Sequence, residues 1–382
     1  MKNKNVLVNA LGISDSGGVS VLVKLLNECS RDIETQYSIL CNDNKHVLKI
    51  VEYFKKSENC NFIIINNRGL LHRIFYENFR LKKIIFDRDI DLVYNFSGSF
   101  QPFSHVPQLV KIHNLIYYSK DLDKLYFKNR QVLLWLKHIL LKRAFFTLVL
   151  RTSKHIEVQS SHVKLHLEDF INTVNKRFYL KSDISVSQSE FSQPKNYAFN
   201  KKLKFLYIVG PHFKYLHKNM RQFSAAMVSL MDLGLDFEVD VTLTFSDLNN
   251  SKVWDVKLND RTKFHGYIDS PDQIKSLFMD NTIVVSTSII ETLGLHIIEG
   301  VKNGVISVAP DERYADAVYG KERVSFSLYS KESLVQALLG IVNSSDDFKQ
   351  KILTQQKYLR TNELNKGNNI CEVFDNILES CD

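Results

Sequence analysis

Short apolar runs alternate with longer helical patterns along most of the chain. Several of these runs are continuously apolar, as expected for strands that are covered on both faces. Strands that alternate with helices indicate parallel sheets, and two successive sets predict an α/β fold with two doubly wound, Rossmann-like sheets. The candidate strands cover residues 5–11, 37–41, 62–66, 91–96, 108–113 and 156–160 in the first half, and 203–210, 237–245, 281–288, 304–310 and 323–327 in the second.

Chain length and one polar segment indicate how the domains are arranged. The 382 residues exceed the usual size of a single core, which favours two domains. Residues 180–202 are rich in Ser, Gln and Asn and lack an apolar period, so we interpret them as a linker. We predict an amino-terminal domain at 1–190 and a carboxy-terminal domain at 200–365, with a ligand cleft between them at the carboxyl ends of the strands. A terminal helix is predicted at 366–382, and the sequence leaves open whether it crosses back to the first domain.

Composition limits the class of protein. A hydrophobic content of 44% with 24% charged residues is typical of a soluble globular chain. The sequence has no run of about 18 uncharged apolar residues, so no membrane-spanning helix is expected. Five cysteines without C-x-x-C spacing favour a reduced, cytosolic compartment without structural zinc. The net charge of +8 indicates an anionic partner, namely a nucleotide, a nucleic acid or a membrane surface, or else a surface that is merely basic.

Two loops at predicted strand ends in the first half carry residues suited to a polar ligand. Gly12, Gly17 and Gly18 precede a helical pattern that begins near Val19. Such a loop either lets the backbone approach an anion closely or forms a plain tight turn. His113 follows another strand and is either structural or a hydrogen-bonding partner for a sugar hydroxyl or phosphate.

A basic loop follows the first strand of the second half. It carries His212, Lys214, His217 and Lys218, and a helical pattern begins near Asn219. Cations beside a helix start suit a diphosphate. A solvated surface loop is the alternative, since charge runs usually face water.

Two glutamates, Glu291 and Glu299, flank seven residues in the otherwise apolar stretch "ETLGLHIIE". We expect Glu291 in a loop and Glu299 about one turn into a helix that ends near Gly304. The unpaired N–H groups around Gly294 and Leu295 then form a seat for phosphate. Glu299 is placed to accept hydrogen bonds from a ribose diol. The alternative is a capping residue plus a surface glutamate.

This motif and four other stretches, in matching order, resemble the retaining GT-B glycosyltransferases of family 4, which build bacterial polysaccharides and glycolipids. "ETLGLHIIE" is similar to the family's E-G-F-G-L-x-x-x-E pattern. The other stretches are "SGGVSVLVKLL", "KIHN", "VQSSHVKLHL" and "FHGYIDSPDQIKSLF". Together they span Gly17 to about Ala309, and they imply two Rossmann-like domains that face each other across a cleft.

The resemblance also implies roles for particular residues. Catalytic contacts fall on His113, Lys218 and Glu291, with Lys218 on the diphosphate and Glu299 on the ribose. The nucleotide sugar as a whole is implied to contact Gly17, Gly18, Lys214, Lys218, Tyr267, Ile268, Glu291, Gly294, Leu295 and Glu299. The family's arginine after the glycine of the basic loop is missing from "GPHFKYLHKN", and His212 or Lys214 would replace it.

The implied reaction moves a sugar from a UDP- or GDP-sugar to a saccharide or lipid-linked saccharide, with retention and without a metal. The carboxylates then bind the donor instead of acting as a nucleophile or base, unlike those of glycosidases. The basic, apolar segment 127–155 is either a peripheral contact with an anionic membrane or a packing helix. The expected location is cytoplasmic, with contact at the inner face of the membrane if that contact exists.

Three other functions compete with this one. A sugar-nucleotide epimerase or phosphorylase would use the same fold. A sugar-binding protein without activity would explain the missing arginine. A nucleic-acid-binding protein would explain the net charge of +8, but the aromatic residues lie within apolar runs and do not alternate with cations as stacking platforms do. We therefore expect no nucleic-acid partner.

Overall fold

The computed structural model describes residues 4–13, 16–66, 69–101, 104–183, 190–198, 202–268, 270–320, 323–343, 348–361 and 369–380. The chain divides into two compact units. Unit 1 contains Met1–Tyr117, Leu140–Ile184 and Lys366–Asp382, and unit 2 contains Tyr118–Ile139 and Ser185–Asn365. Residues 118–139 lie in the range predicted for the first domain, 1–190, whereas the structure groups them with the second unit.

Unit 1 contains a seven-stranded sheet in the order β3-β2-β1-β4-β5-β6-β7, and every neighbouring pair is parallel. Its strands are β1 (Lys4–Asn9), β2 (Thr35–Asn42), β3 (Cys60–Ile65), β4 (Leu92–Asn95), β5 (Gln108–Lys111), β6 (His155–Val158) and β7 (Arg177–Leu180). Its helices are α1 (Ser16–Cys29), α2 (Lys45–Phe54), α3 (Leu70–Phe75), α4 (Leu81–Asp87), α7 (Leu141–Thr152), α8 (Ser161–Glu168) and α16 (Ile370–Glu379).

The terminal helix α16 packs within unit 1. Ile370 and Phe374 belong to the same buried cluster as the apolar residues of β1. The Phe374 ring centroid lies 6.3 Å from that of Tyr37. The backbone N–H of Ile370 donates to Glu28 Oε2 at 3.0 Å, which ties the start of α16 to α1.

A buried charged network joins the central strands of unit 1. Lys111 Nζ lies 2.6 Å from Glu157 Oε1 and 2.5 Å from Asp183 Oδ1. Tyr94 donates its hydroxyl to Glu157 Oε2 at 2.6 Å, and Gln159 donates to Asp183. Burial raises the pKa of Asp183, but the Lys111 ammonium outweighs burial and lowers it below the ordinary value. One lysine therefore contacts two buried carboxylates and keeps Asp183 in the ionised form.

Unit 2 contains a six-stranded sheet in the order β10-β9-β8-β11-β12-β13, again with every pair parallel. Its strands are β8 (Leu203–Tyr207), β9 (Phe237–Val241), β10 (Thr262–Phe264), β11 (Thr282–Val285), β12 (Ile306–Pro310) and β13 (Val324–Phe326). Its helices are α5 (Lys120–Lys128), α6 (Val132–Trp135), α9 (Met220–Asp232), α10 (Phe245–Asn249), α11 (Pro271–Lys275), α12 (Leu295–Lys302), α13 (Arg313–Tyr319), α14 (Lys331–Val342) and α15 (Phe348–Thr361).

Part of the predicted linker packs onto unit 2. Lys195 N–H donates to Gly304 O at 2.8 Å, and Tyr197 donates its hydroxyl to Thr282 O at 2.6 Å. Gly304 has a φ of +71°, and a Cβ there would lie 2.3 Å from the carbonyl oxygen of Gln193. Only glycine fits this turn, which follows the helix that was predicted to end near Gly304.

The predicted α/β class with two doubly wound parallel sheets is confirmed. The sequence prediction missed one strand in each sheet, β7 in the first and β10 in the second. The predicted linker at 180–202 is only partly described, because residues 184–189 and 199–201 lie outside the described ranges.

Candidate functional site

The candidate site in unit 2 lies at the point where the strand order reverses. β8 and β11 are neighbours, although two strands, β9 and β10, and their helices separate them along the chain. The connections that leave their carboxyl ends run in opposite directions across the sheet. Open α/β sheets bind ligands at such a switch point. The basic loop follows β8 and the first glutamate follows β11, so the two predicted features share this edge.

Lys218 and Glu291 form an ion pair at this edge. Lys218 Nζ lies 2.5 Å from Glu291 Oε1, with side-chain exposures of 22% and 18%. Tyr207 supports the pair from β8, because its hydroxyl donates to Lys218 O at 2.9 Å. Thr287, which follows β11, places Oγ1 3.0 Å from the same carbonyl. The two loops are thus joined by buried hydroxyls, and the pair is held where the strands end.

Electrostatics keep Glu291 ionised and its histidine neighbours neutral. Burial raises the pKa of Glu291, but Lys218 outweighs burial and lowers the pKa to about 2. Burial lowers the pKa of His217 and of His296 to about 4 each. His296 shares a hydrogen bond with Ser286 Oγ at 2.6 Å. At neutral pH the group therefore consists of one ammonium, one carboxylate and two uncharged imidazoles.

The start of α12 supplies backbone donors beside this pair. Gly294 caps the helix with φ +59° and ψ +50°, a left-handed conformation that favours glycine. A Cβ there would lie 3.2 Å from Ile297 Cδ1 and 3.4 Å from Tyr314 Cδ2. The N–H groups of Leu295 and His296 precede the first hydrogen bond of the helix, from Ile297 N to Gly294 O, and have no acceptor among the described residues. This confirms the predicted helix start at Leu295.

Glu299 lies within α12, one turn after its start, so the two glutamates belong to different elements as predicted. Its side chain is half-buried. In the part of the chain that the structure describes, its carboxylate has no hydrogen-bonding or ion-pair partner. Its backbone carbonyl, in contrast, accepts from Asn303 Nδ2 at 2.9 Å. The carboxylate is left to accept hydrogen bonds from another molecule.

The basic loop places its remaining cations apart from the ion pair. The rings of His212 and Tyr215 stack with centroids 5.1 Å apart. Lys214 Nζ lies 5.3 Å from the centre of the Phe213 ring. Neither His212 nor Lys214 forms a described hydrogen bond with Lys218 or with Glu291 in the described ranges. Which of the two would replace the family's arginine stays a prediction.

Tyr267 and Ile268 follow β10, at the same edge of the sheet. Gly266 turns the chain with a φ of +71°, and its N–H donates to Leu243 O at 3.0 Å. The Tyr267 side chain is 47% exposed and hydrogen-bonds to Asp247. Asp247 also closes a capping box with Thr244 at the start of α10. These contacts fix the loop that the resemblance assigns to the base, and that role stays a prediction.

Unit 1 carries the other predicted site residues. Gly17 and Gly18 lie in the first turn of α1, which begins at Ser16. The expectation of a loop until about Val19 is therefore wrong at these positions. The helix extends by three residues because a first turn needs no internal N–H partners, which makes glycine tolerable there. Ser14 and Asp15, in the predicted loop, lie outside the described residues.

His113 lies two residues after β5 and is half-buried. Its Nε2–H donates to the carbonyl of Phe96, which follows β4, and the two rings meet edge to face at 5.3 Å. β4 adjoins β1 where the order of this sheet reverses. His113 is thus anchored beside the switch point of unit 1, and its contact with a sugar stays a prediction.

Sequence reasoning missed Arg73 in unit 1. A Cβ on Gly12 would lie 2.2 Å from Arg73 Nη1, so the guanidinium occupies the space beside the glycine loop. Its Nε donates to Glu77 Oε1 at 3.0 Å, and the same oxygen accepts from Asn9 at the end of β1. Gly12 and Arg73 are 61 positions apart, and no pattern in the sequence indicates that they meet. His296 was also missed, although it lies inside the motif.

The described ranges hold no group of three or more His, Cys, Asp or Glu side chains placed to hold a metal ion. Among the described helices none has the length and apolar character needed to cross a membrane. The predicted independence from metal stays a prediction.

Comparison with solved structures identifies the fold. A glycosyltransferase from Rickettsia africae ESF-5 superimposes with a TM-score of 0.65 over 99% of both chains, at 16% sequence identity. The chain has the GT-B fold. The Anabaena protein HepE, solved in complex with UDP-glucose, matches with a TM-score of 0.63 at 11% identity over 97% of this chain and 99% of that one.

The GT-B fold also includes other enzymes. A protein from Listeria monocytogenes, described as a candidate UDP-N-acetylglucosamine 2-epimerase, matches with a TM-score of 0.55 at 11% identity over 92% of this chain and 90% of that one. No protein-family model matches the sequence. Comparison with curated proteins also gives no significant match. At these identities the likeness concerns the fold alone, and the predicted GT-B architecture is confirmed in that sense.

Proposed function

We propose that this protein is a glycosyltransferase that takes its sugar from a nucleotide-sugar donor. The observation that carries the proposal is the arrangement at the switch point of unit 2. The Lys218 ammonium follows β8, and α12, which follows β11, supplies the N–H groups of its first turn and the Glu299 carboxylate, which has no partner among the described residues. A diphosphate needs the first two groups, and a ribose diol needs the third.

In the proposed complex the diphosphate takes over Lys218 from Glu291. Lys218 Nζ and the N–H groups of Leu295 and His296 then stabilise the charge that builds on the leaving diphosphate. Glu299 accepts hydrogen bonds from the ribose. UDP or GDP as the nucleotide rests on the family resemblance, and the HepE complex supports UDP.

Glu291 serves as an acceptor for hydroxyls of the donor sugar. With a pKa of about 2 it is ionised at neutral pH, so it can accept hydrogen bonds but holds no proton to give. The acid role of a glycosidase carboxylate, which needs a raised pKa, is therefore unsuited to it. Retention and a metal-free reaction, in which a phosphate oxygen takes the acceptor proton, complete the proposal.

A thermal-shift panel of UDP-, GDP-, ADP- and CMP-sugars tests the proposal. We expect at least one nucleotide to raise the melting temperature, and Glu299→Ala to lose most of that shift because two ribose hydrogen bonds are removed. The loss corresponds to about 1–3 kcal/mol of binding energy. Glu52→Ala, at an exposed position on α2, is the matched control and should keep the shift. If no nucleotide stabilises the wild type, the proposal is wrong.

A sugar-nucleotide epimerase is the second candidate, favoured by the Listeria neighbour. Epimerisation needs no acceptor, whereas transfer does. Incubation with the stabilising UDP-sugar alone separates the two, because an epimerase would convert the sugar in the absence of any second substrate.

We also propose that the acceptor is a saccharide or lipid-linked saccharide and that α7 contacts an anionic membrane on the cytoplasmic side, in polysaccharide or glycolipid synthesis. Leu141, Phe145 and Leu148 recur at helical spacing on α7 and are 64%, 46% and 61% exposed. Lys142 and Arg151 on the same helix are exposed cations. An apolar row with cations suits the surface of an anionic bilayer.

Sedimentation with liposomes checks this contact. We expect the wild type to sediment with phosphatidylglycerol vesicles at low salt, and Leu141→Ser/Leu148→Ser to lose at least half of the bound fraction, because apolar burial supplies about 25 cal/mol per Å². Ile33→Ser/Leu165→Ser replaces two other exposed apolar residues of unit 1 and should leave binding unchanged. Equal binding by both variants would argue against a role for α7.

A further inference from the structure

Unit 2 contains a second basic feature, which shares only Lys214 with the residues assigned to the nucleotide sugar. A cavity of about 580 Å³ lies between the end of α5, the start of α9 and the segments 250–253 and 329–331. Its lining includes Lys128, Lys214, Arg221, Lys252 and Lys331, and it includes no aspartate or glutamate. Glu291, Gly294 and Glu299 are not among the lining residues, so this cavity is separate from the Lys218–Glu291 pair.

The cations at the rim are available to a ligand. All five side chains are exposed. Lys128 and Lys252 have no ion-pair partner within the described ranges. Lys331 has an acidic neighbour, since its Nζ lies 3.8 Å from Glu332 Oε1. Five like charges around one concavity repel one another, and they raise the local concentration of anions.

Backbone groups add to the positive potential. α9 begins at Met220 in the wall of the cavity, and its 13 residues are long enough for a sizeable helix dipole. Asn219 precedes the helix, but its side chain does not cap it. The N–H of Gln222 donates to Asn219 O, but those of Met220 and Arg221 have no acceptor among the described residues and add donors on the side where the cations lie.

The cavity floor has a different character. Phe213 and Met220 are buried, and Leu125, Leu216 and Val253 are half-buried beside them. The hydroxyl oxygen of Ser251, also in the lining, is buried and has no hydrogen-bonding partner among the described residues. An apolar floor beneath a cationic rim, with one unused hydroxyl, suits an anion attached to a less polar body.

We propose that this cavity binds a diphosphate group at a site distinct from the donor site. The shared chemistry is a multiply charged phosphate anion, either free in solution or carried on a lipid-like chain that the floor would accommodate. The proposal goes beyond the proposed function and does not depend on it, because Lys218, Glu291 and Glu299 do not line this cavity and Lys214 is the one assigned donor residue that does.

Calorimetric titration with inorganic pyrophosphate at low ionic strength tests the proposal. We expect the wild type to bind with a Kd below about 1 mM. Lys128→Gln/Lys252→Gln should weaken binding at least ~10-fold, because each charge-assisted contact contributes more than a neutral one. Lys275→Gln/Lys357→Gln removes the same charge from exposed positions elsewhere in unit 2 and should change the Kd less than about twofold, because distant surface charges are screened.

Two further measurements show where the anion binds and whether the diphosphate is free or attached to a lipid-like chain. Lys218→Gln leaves the cavity intact, so the pyrophosphate binding that Lys128→Gln/Lys252→Gln weakens should persist in it, whereas pyrophosphate bound at the donor site should be lost. The nucleotide-sugar shift of the double variant at Lys128 and Lys252 should equal that of the wild type. If geranyl diphosphate binds at least ~10-fold tighter than pyrophosphate, the ligand is a diphosphate carried on a lipid-like chain. If the two bind with equal affinity, the ligand is a free diphosphate. The proposal is wrong if the wild type does not bind pyrophosphate. It is also wrong if both double variants lose the same affinity, or if only Lys218→Gln loses affinity for pyrophosphate.

Discussion

Lys218→Met should weaken the binding of the stabilising nucleoside diphosphate by about 10–100-fold, since a hydrogen bond to a charged group contributes about 1.5–3 kcal/mol. The lysine forms an ion pair with Glu291 and follows β8 at the switch point. A methionine of similar length fills the space without the charge. Calorimetric titration with the nucleotide that gives the largest thermal shift measures the effect.

A paired variant separates binding from folding. In Lys218→Met, Glu291 stays buried but has lost its main partner. The variant should therefore lose about 1–3 kcal/mol of unfolding free energy. Lys218→Met/Glu291→Gln removes the stranded carboxylate and should recover most of that stability, but not the affinity. If the double variant recovers affinity together with stability, Lys218 acts through folding and not through the ligand.

The Lys218–Glu291 pair should also make the unfolding free energy depend on pH. The pKa of Glu291 in the folded protein is about 2, below its ordinary value of 4.5. The stability that this shift contributes is therefore present above about pH 4.5 and is lost as the pH falls toward 2. In Lys218→Met the pKa of Glu291 should rise, so the deficit relative to the wild type should shrink as the pH falls below 4.5.

Lys111→Met should destabilise the protein by about 3–5 kcal/mol at neutral pH, the usual cost of removing one partner from a buried ion pair. The lysine is 1% exposed, and Glu157 and Asp183 are 0% and 7% exposed. Its loss strands two buried carboxylates, for which the hydroxyl of Tyr94 and the amide of Gln159 are the remaining described donors. Denaturant unfolding of the variant measures the change.

Two comparisons make this second prediction specific. Lys49→Met, at an exposed position on α2, should change the unfolding free energy by less than about 0.5 kcal/mol. Lys111→Met/Glu157→Gln should recover part of the loss, because one of the two stranded charges is gone. A deficit below about 1 kcal/mol for Lys111→Met would mean that the network is exposed to water and that its carboxylates have other partners.

The alternation of apolar runs was enough to predict the fold class, because buried parallel strands are apolar along their whole length. The two missed strands lack this signal. β7 (Arg177–Leu180) has no buried residue, and β10 (Thr262–Phe264) has two partly buried residues and one exposed residue. Both lie at the edges of their sheets, where one side of the strand has no neighbour and a polar sequence is tolerated.

The candidate site was predicted where its residues belong to one local pattern. The placement of Glu291 before α12 and of Glu299 within it followed from the strand, the glycine and the helical period that surround them. The contact between Lys218 and Glu291 joins residues 73 positions apart and depends on β8 and β11 being neighbours. Spacing along the chain cannot show that adjacency, and the resemblance suggested only that both residues meet the donor.

A crystal structure with the best-binding nucleoside diphosphate would show where the donor binds. We expect the diphosphate within hydrogen-bonding distance, about 2.7–3.2 Å, of Lys218 Nζ and of the N–H groups of Leu295 and His296. The ribose should contact Glu299, and Glu291 should have lost its contact with Lys218. A nucleotide bound elsewhere, or at this edge with Lys218 still paired to Glu291, would mean that the proposed donor site is wrong.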